Sequence, residues 1–555
     1  MVHRGGDIDS ENIYIEGDNL DALKLLRETY LGKVKMIYID PPYNTGNDFI
    51  YEDDFSQSAA EYADNSGQTD DEGNRMVANS ESNGRFHTDW LNMIYPRLHV
   101  AKDLLTDDGL VFISIDDNEL TNLKKICDEM FGRKCFIAQI TLLCNPKGRS
   151  QDKYIANCHE YILIYSRNIL EKESLSIPKS EDEIRKDYPL ADQNGNLYRE
   201  LELRNTHRDF GHFNRPNLWY PFYVDKSGNI HFENQLDYEE IYPIWDDGFE
   251  GCWSWGKEKA KREYYLLTAK KVNGRYKIYR KAYANVNHEK PNKKVKSIWT
   301  DKMFFTEKGQ LSLNKLFKTN EKYFQSPKSP FLIKQCILMS HCENGIILDF
   351  FSGAATTAEA VLMLNAEDGK NRRFITVQIN ENIDSRSKAY EHGYKSICDI
   401  GEGRIRRAGK KIKEETNADI DYGFRCFKVD SSNMKEVYYR PADVRQLSLD
   451  QLTDNIKEDR TPEDLLFQVM LDLGVLLSSK IEEQEIAGKR VFSVADGYLM
   501  ACFDKDVTED VVTQIAKSHP FYAVFRDSSM ADDSVAANFE QIFATYSPET
   551  VRKVL

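Results

Sequence analysis

The run Val34-Lys35-Met36-Ile37-Tyr38-Ile39, closed by Asp40, constrains this chain more than any other stretch. It is nearly continuous in apolar, β-forming residues. That pattern suits a strand buried on both faces of a parallel sheet, not one with a wet side. Its neighbours keep the rhythm such a sheet needs. Asn12–Ile15 reads as a strand ending at Gly17-Asp18, and Leu20–Tyr30 has helical spacing at Leu20, Leu23, Leu26 and Tyr30. Trp90–Leu105 reads as helix and Leu110–Asp116 as another buried strand, while the polar, acidic residues 52–86 read as a loop. Strands alternating with helices predict an α/β fold with a parallel sheet.

The rhythm stops at about residue 145 and resumes at about 320. Between them lie strand-like pieces such as Glu160–Ser166 and irregularly spaced aromatic and basic residues, with five of the six tryptophans (Trp219, Trp245, Trp253, Trp255, Trp299). Pro330–Cys342 then reads as helix, Gly345–Phe350 as strand, Thr356–Leu364 as helix and Arg373–Ile379 as strand. A third region begins near Phe424. The expected organisation is therefore 1–145 and 321–420 as two halves of one α/β domain, 146–320 inserted between them, and 421–555 appended. No internal repeat is visible.

The chain has 555 residues and a formal net charge of −16, which argues against a protein that coats nucleic acid generally. The charge is segregated. Residues 256–297 hold fourteen Lys/Arg against three Glu, so a local basic surface is expected there. The amino-terminal residues lack the apolar core of a signal peptide, and no run of about 18 apolar residues points to a membrane span. With ten scattered cysteines and no C-x-x-C pair, reduced thiols in a cytoplasmic protein are expected. Cys336, His341 and Cys342 lack the further ligands of a metal site, so buried helical cysteines and no metal are expected. His87, His159, His207 and His212 read as structural or surface residues.

Two motifs carry chemistry. Asp40-Pro41-Pro42-Tyr43 follows directly on the buried strand, and ligand sites of open parallel sheets lie at the carboxyl ends of strands. An exocyclic base amine is a poor nucleophile because its lone pair is delocalised into the ring. A carboxylate (Asp40) and a backbone carbonyl (Pro41) can each accept one N–H and free that lone pair. Pro41 and Pro42 stiffen the turn, and Tyr43 offers a flat face for a flipped base. The structural alternative is a plain strand exit with a helix-capping Asp. The second motif, Phe351-Ser352-Gly353-Ala354-Ala355-Thr356-Thr357, also leaves a buried strand and opens a helix, where small residues and free N–H groups admit a ligand. Asp349 at the strand end suits an amino group, and Glu381, one strand later, suits ribose hydroxyls.

Together these residues resemble the amino-methyltransferases of DNA in their circularly permuted order, with the catalytic motif first. More narrowly, the chain resembles the modification (Mod) subunits of Type III restriction–modification systems. The matching stretches are YIEGDNLDALKLL, YIDPPYNTGNDFIYEDDF, HTDWLNMIYPRL, DGLVFISIDDNE, RPNLWYPF, LDFFSGAATT and EDRTPEDLLFQVMLDLG, from near residue 13 to about 480. The resemblance implies a Rossmann-like sheet that binds S-adenosylmethionine, releases S-adenosylhomocysteine and methylates the N6 amine of adenine in double-stranded DNA. By it, Asp40, Pro41, Pro42 and Tyr43 are catalytic. Asp18 contacts the cofactor adenine, and Asp349, Phe351, Ser352, Gly353, Thr356 and Thr357 its methionine side. Glu381 contacts its ribose, and Lys328 belongs to a segment closing over it. A homodimer and a helicase–nuclease (Res) partner are implied as well. The family turn usually reads F-x-G-S-G-T-T, and Ala355 stands at its second glycine.

Three other readings compete. An N4-cytosine methyltransferase more often carries Ser in place of Asp40. A protein-glutamine or RNA methyltransferase more often carries Asn there, with the motifs in the opposite order. A catalytically weak subunit that only delivers a nuclease has Ala355 as its support. Within 146–320, which is expected to read the DNA sequence, Lys270, Lys271, Arg275, Lys277, Arg280 and Lys281 are the candidate phosphate contacts. The acidic region 421–555 carries a good helix start at Thr461-Pro462-Glu463-Asp464 and reads as a separable module for protein contacts.

Overall fold

The computed structural model describes residues 1–46, 85–148, 153–171, 174–285, 291–435, 456–526, 530 and 533–555, with the backbones of the short strands Phe49–Tyr51 and Met76–Ala78. The expected acidic loop at 52–86 lies almost wholly outside these residues. Two compact units are present: Met1–Leu175 with Lys296–Leu555, and Ser176–Val295.

The first unit is built on a ten-stranded sheet. In chain order its strands are β1 (Val2–Gly6), β2 (Ile13–Glu16), β3 (Val34–Ile39), β4 (Leu105–Ile115), β5 (Phe136–Leu143), β6 (His159–Ser166), β7 (Ile298–Trp299), β8 (Ile346–Asp349), β9 (Arg373–Gln378) and β10 (Arg425–Lys428). Their spatial order is β1-β10-β2-β9-β8-β3-β4-β6-β5-β7. From β10 to β4 every pairing is parallel. This is the α/β fold expected from the apolar runs, and five of the six residues of β3 are buried. Beyond β4 the pairing turns antiparallel through β6 and β5.

The order of connection fixes where a ligand can sit. From β3 the chain crosses to β4 on one side, and from β8 it crosses to β9 on the other. β3 and β8 are neighbours, registered Ile37 to Leu348, although roughly three hundred residues of chain separate them. Ligands bind in the crevice that opens at the carboxyl ends of strands where the winding reverses. Both sequence motifs leave the sheet at that reversal.

The segment after 421 is knitted into this unit. β10 pairs with β1 and β2 inside the main sheet. Helix Pro462–Asp472 starts with the Thr461 capping box and buries Leu465, Leu466, Phe467, Val469 and Met470 in the same core as Leu23, Leu26 and Tyr30. Side chains lock the contact. The Thr29 hydroxyl donates to the Leu471 carbonyl (3.0 Å), the Tyr30 hydroxyl accepts from the Leu477 N–H (3.0 Å), and the buried Arg425 guanidinium donates to the Leu477 and Ser479 carbonyls. After it comes a five-stranded sheet that puts Phe492, Val494, Leu499 and Val524 into that core and its other face against helices Glu509–Lys517 and Asp533–Tyr546. Helical spacing at 465–473 identified an apolar face but not the surface it meets.

In the second unit, a four-stranded antiparallel sheet holds Leu267–Val272 and Arg275–Tyr283 as a hairpin, with Trp253, Trp255, Phe222 and Ile278 in the core. Trp219 lies between His212 and Tyr242 in a stack, with centroids 4.6 and 5.0 Å away.

A chain ending near Asp421 loses a sheet strand and a helix burying five large apolar side chains, each worth about 1.5–3 kcal/mol. That sum rivals the whole stability of a typical domain, about 5–15 kcal/mol. Such a chain is expected to be insoluble or to melt far below the full chain in a thermal scan, whereas the sequence alone suggested a separable tail. Retention of the full-length melting temperature would contradict this packing.

Candidate active site at the sheet reversal

Asp40 caps the end of β3, and the two prolines after it carry the chain across the strand ends. The Pro42 carbonyl accepts the indole N–H of the fully buried Trp90 (2.7 Å). Asn44 then takes a left-handed conformation (φ 60°), which asparagine tolerates better than most residues. Its amide donates to Glu119 (2.6 Å), a buried carboxylate that His87 also meets (2.5 Å). The turn is thereby pinned at both ends. Among the described residues nothing donates to the Pro41 carbonyl, and Pro41 itself is buried.

The cofactor-like turn is held by a separate set of bonds. Asp349 accepts the Phe351 N–H (3.1 Å) and the Thr357 hydroxyl (2.5 Å). Burial is the main cause that pushes its carboxyl up to about 7, opposed by those two donors and reinforced by the nearby Asp40. The Gly353 N–H donates to the Gln378 side chain (2.7 Å), and a Cβ at Gly353, whose φ is +49°, would press on the Phe324 ring at 3.0 Å. Thr356 turns away: its hydroxyl accepts from the buried Arg404 (2.6 Å), which also pairs with Glu359 (2.7 Å). The Ser352 hydroxyl is buried and has no partner among the described residues. Glu381 is half-buried, and burial raises its carboxyl above the usual range. An unsatisfied hydroxyl, a buried carboxyl and a second carboxyl beyond the next strand fit a ligand with an amino-acid end and a ribose, so the donor set suits S-adenosylmethionine.

Asp18 caps helix Asn19–Tyr30 through Oδ1, and its Oδ2 meets the Arg97 guanidinium at 3.1 Å. Arg97 is wholly buried and also donates to Asn19, whose amide donates to the Phe350 carbonyl (2.7 Å). This chain of bonds ties the β2 exit to the β8 exit. Lys328 approaches from the loop before helix Pro330–Met339. Its ammonium lies 3.1 Å from Asp40 Oδ1 and 3.1 Å from Glu160 Oε2, and it donates to the Tyr43 hydroxyl at 2.8 Å. Burial opposes its charge, but Asp40 and Glu160 outweigh that and hold its pKa above the ordinary lysine value. Burial, then Asp40 and Glu160, push the Tyr43 hydroxyl well up, so it stays protonated. The loop fits because Gly309 lets helix Thr306–Phe317 run against it: a Cβ there would lie 2.0 Å from the Pro327 carbonyl.

Arg97, Trp90, Glu160 and Arg404 escaped sequence reasoning. Trp90 and Arg97 lie in the HTDWLNMIYPRL stretch, and Glu160 is a lone acid opening an apolar strand. Of the basic candidates in the second unit, Lys270 pairs with Glu200 (2.6 Å) and Lys277 with Asp246 (3.1 Å). Lys271, Arg280 and Lys281 lie over the rings of Tyr276, Trp255 and Tyr198, and Arg275 is exposed at the hairpin tip. Among the expected structural histidines, His159 meets the Tyr161 hydroxyl (2.9 Å), His212 meets Glu250 (3.0 Å) and His207 is exposed. Cys336 and Cys342 are buried free thiols and His341 is exposed.

Ala355 explains the family's second glycine. It is wholly buried and left-handed, with φ 56° and ψ 43°, immediately before helix Thr356–Asp368. A Cβ in that region costs about 1–2 kcal/mol, which glycine avoids. The turn is nevertheless formed. Ala355→Gly is expected to stabilise the chain by about 0.5–1 kcal/mol net of glycine's greater freedom when unfolded. Equilibrium denaturation checks this, and a destabilised variant would contradict it.

A DNA methylase family model (N6_N4_Mtase) matches residues 34–388. The Type III restriction-modification enzyme EcoPI Mod subunit of Escherichia phage P1 is 35% identical over 492 residues, 86% of this chain and 74% of that protein. The EcoP15I Mod subunit of Escherichia coli is 31% identical over 516 residues, 89% of this chain and 76% of that one. The Type II methyltransferase M.KpnI of Klebsiella pneumoniae is 34% identical over 400 residues, 72% and 88% of the two chains. With both motifs at one reversal of a parallel sheet and relatives of this extent, the chain belongs to the N6/N4 DNA methylase family, alongside the Mod subunits of Type III restriction–modification systems.

Proposed function

We propose that the chain methylates the N6 amine of adenine at a specific site in double-stranded DNA, with S-adenosylmethionine as donor and S-adenosylhomocysteine as product. Its proposed setting is the modification subunit of a Type III system. The observation that carries the reading is the placement of Asp40-Pro41-Pro42-Tyr43 and Phe351–Thr357 at the carboxyl ends of neighbouring strands β3 and β8. An acid at position 40 favours adenine over cytosine.

S-adenosylmethionine, when bound, supplies a methyl group made electrophilic by its sulfonium. Asp349 and the 351–353 turn hold its amino-acid end, Ser352 offers it a free hydroxyl, and Glu381 takes the ribose. Asp18 and Lys328 border it. The target base leaves the duplex and stacks on Tyr43. One amine N–H points to Asp40 and the other to the Pro41 carbonyl, which frees the nitrogen lone pair for attack. Transfer would form the N–CH3 bond as the donor's S–CH3 bond breaks and its electron pair returns to sulfur, and Asp40 would accept the proton that the amine gives up. The rigid Pro-Pro turn and its Trp90 anchor hold these acceptors in place before the base arrives, so little reorganisation is needed.

The unit 176–295 is the proposed target-recognition region, and the exposed faces of 480–555 the proposed surface for a second copy or a helicase–nuclease subunit. Among the described residues no helix is long and apolar enough to cross a membrane, and a cytoplasmic location is proposed. In the hairpin, Lys271, Arg275, Arg280 and Lys281 are the stronger phosphate candidates, because Lys270 and Lys277 already have carboxylate partners. Neutralising those four is expected to flatten the salt dependence of DNA binding by about 0.9 for each phosphate no longer neutralised. An unchanged slope would place the hairpin away from DNA.

Asp40→Ala is expected to lower methyl transfer by at least about a hundredfold, because it removes an interaction made mainly in the transition state. Cofactor affinity, measured by calorimetry, should survive. Near-normal turnover would overturn the mechanism. Asp349 supplies a pH test. Its carboxyl, pushed up to about 7, must ionise to pair with the cofactor ammonium. Affinity should therefore rise as pH is raised through about 7, by up to about tenfold per pH unit below it. Asp349→Asn should flatten that dependence, and an equally steep dependence in the variant would exclude this role.

A further inference from the structure

Lys328 poses a question that the family motifs do not answer. Its ammonium sits on Asp40 Oδ1, the carboxylate that the proposed function assigns to the target amine, and 4.9 Å from the centre of the Tyr43 ring, on which the base would stack. An ammonium is a nitrogen with N–H donors, and here it occupies the place beside Asp40 that the adenine amine would take, as an ion pair at 3.1 Å that leaves Asp40 Oδ1 without a hydrogen bond among the described residues. The arrangement also contains somewhere else for it to go. Glu160, on β6, already meets Lys328 through Oε2 at 3.1 Å, while its Oε1 is buried and has no partner among the described residues. A buried acceptor left unmet is costly, and its position on the same carboxylate makes it a ready second oxygen for the lysine.

Resting on the methyltransferase reading, we propose that Lys328 stands in for the target amine. It balances the charge of Asp40 while no base is bound, leaving Oδ1 open to a donor, and shifts wholly onto Glu160 when the base enters. Glu160 and Lys328 are then positioning residues of the transfer step. The electrostatics follow from the groups around the ammonium: Asp40 and Tyr43 from the turn after β3, Glu160 from β6, and, next to Asp40, Tyr38 and Asp349. With two carboxylates against one cation, the lysine cannot leave this pair without stranding buried negative charge. Moving between them keeps it paired throughout. A neutral amine can then replace it on Asp40 at little electrostatic cost.

The test measures transfer of tritiated methyl groups to unmethylated, whole-genome-amplified bacterial DNA by the full chain, Glu160→Gln, Lys328→Met and the double variant. Calorimetric S-adenosylmethionine affinity and melting temperature are recorded for each. Glu160→Gln removes the charge to which the ammonium retires, so kcat/KM for DNA should fall at least about tenfold with cofactor affinity unchanged. In the Lys328→Met background the same change should alter kcat/KM less than about twofold, because Glu160 acts through the lysine. The acid limb of the Lys328→Met rate profile should move to higher pH, because carboxylates that lose their cation take up a proton more readily. Additive losses in the double variant would overturn the proposal alone. So would a Lys328→Met chain that loses cofactor affinity while its acid limb stays in place, which would make the lysine a cofactor ligand. No transfer by the unsubstituted chain would overturn the methyltransferase reading and the proposal with it. Should Glu160→Gln fail to fold, the acid limb of Lys328→Met decides.

Discussion

The parallel pairing of Val34–Ile39 with Ile346–Asp349 is the contact on which the rest of the molecule depends. It joins two segments from opposite sides of a long insertion and places their carboxyl ends side by side. Asp40 and Asp349 then become electrostatic neighbours. The buried Asn19–Arg97–Asp18 network and the Trp90 indole hold the exits on either side. Without that pairing the two motifs would be unrelated turns. With it they border one crevice at the point where the sheet winding reverses.

The second theme is concentrated charge. Asp40 and Glu160 flank Lys328, Asp349 lies near Asp40, and each departure from ordinary behaviour there has a local cause. Burial raises Asp349, while two carboxylates keep Lys328 charged against burial. Such clusters are costly for stability and common at sites where charge is rearranged during chemistry. The left-handed Ala355 adds a smaller strain at the neighbouring turn.

Much of this was legible in the sequence because the residues concerned are contiguous. The apolar run before Asp40 identified a buried strand, and the Asp40-Pro41-Pro42-Tyr43 turn that leaves it lies, as expected, at the carboxyl end of that strand. Phe351–Thr357 could be read in the same way, and Ala355 was visible as a departure, although its cost became clear only with its positive φ. What could not be read depends on partners far away in the chain. Nothing near Glu160 says that it will meet Lys328. The helix at 462–472 showed an apolar face but not that Thr29, Tyr30 and the first strands would cover it. Charge counting marked residues 256–297 as basic, but two of its lysines are answered by Glu200 and Asp246, which lie outside the stretch.

The most direct measurement of the central claim is nucleoside mass spectrometry. Unmethylated double-stranded DNA is incubated with the purified chain and S-adenosylmethionine, then digested. The account predicts N6-methyladenine as the modified nucleoside, absent when Asp40→Ala replaces the unsubstituted chain. N4-methylcytosine, or N6-methyladenine formed equally by the Asp40→Ala chain, would contradict it.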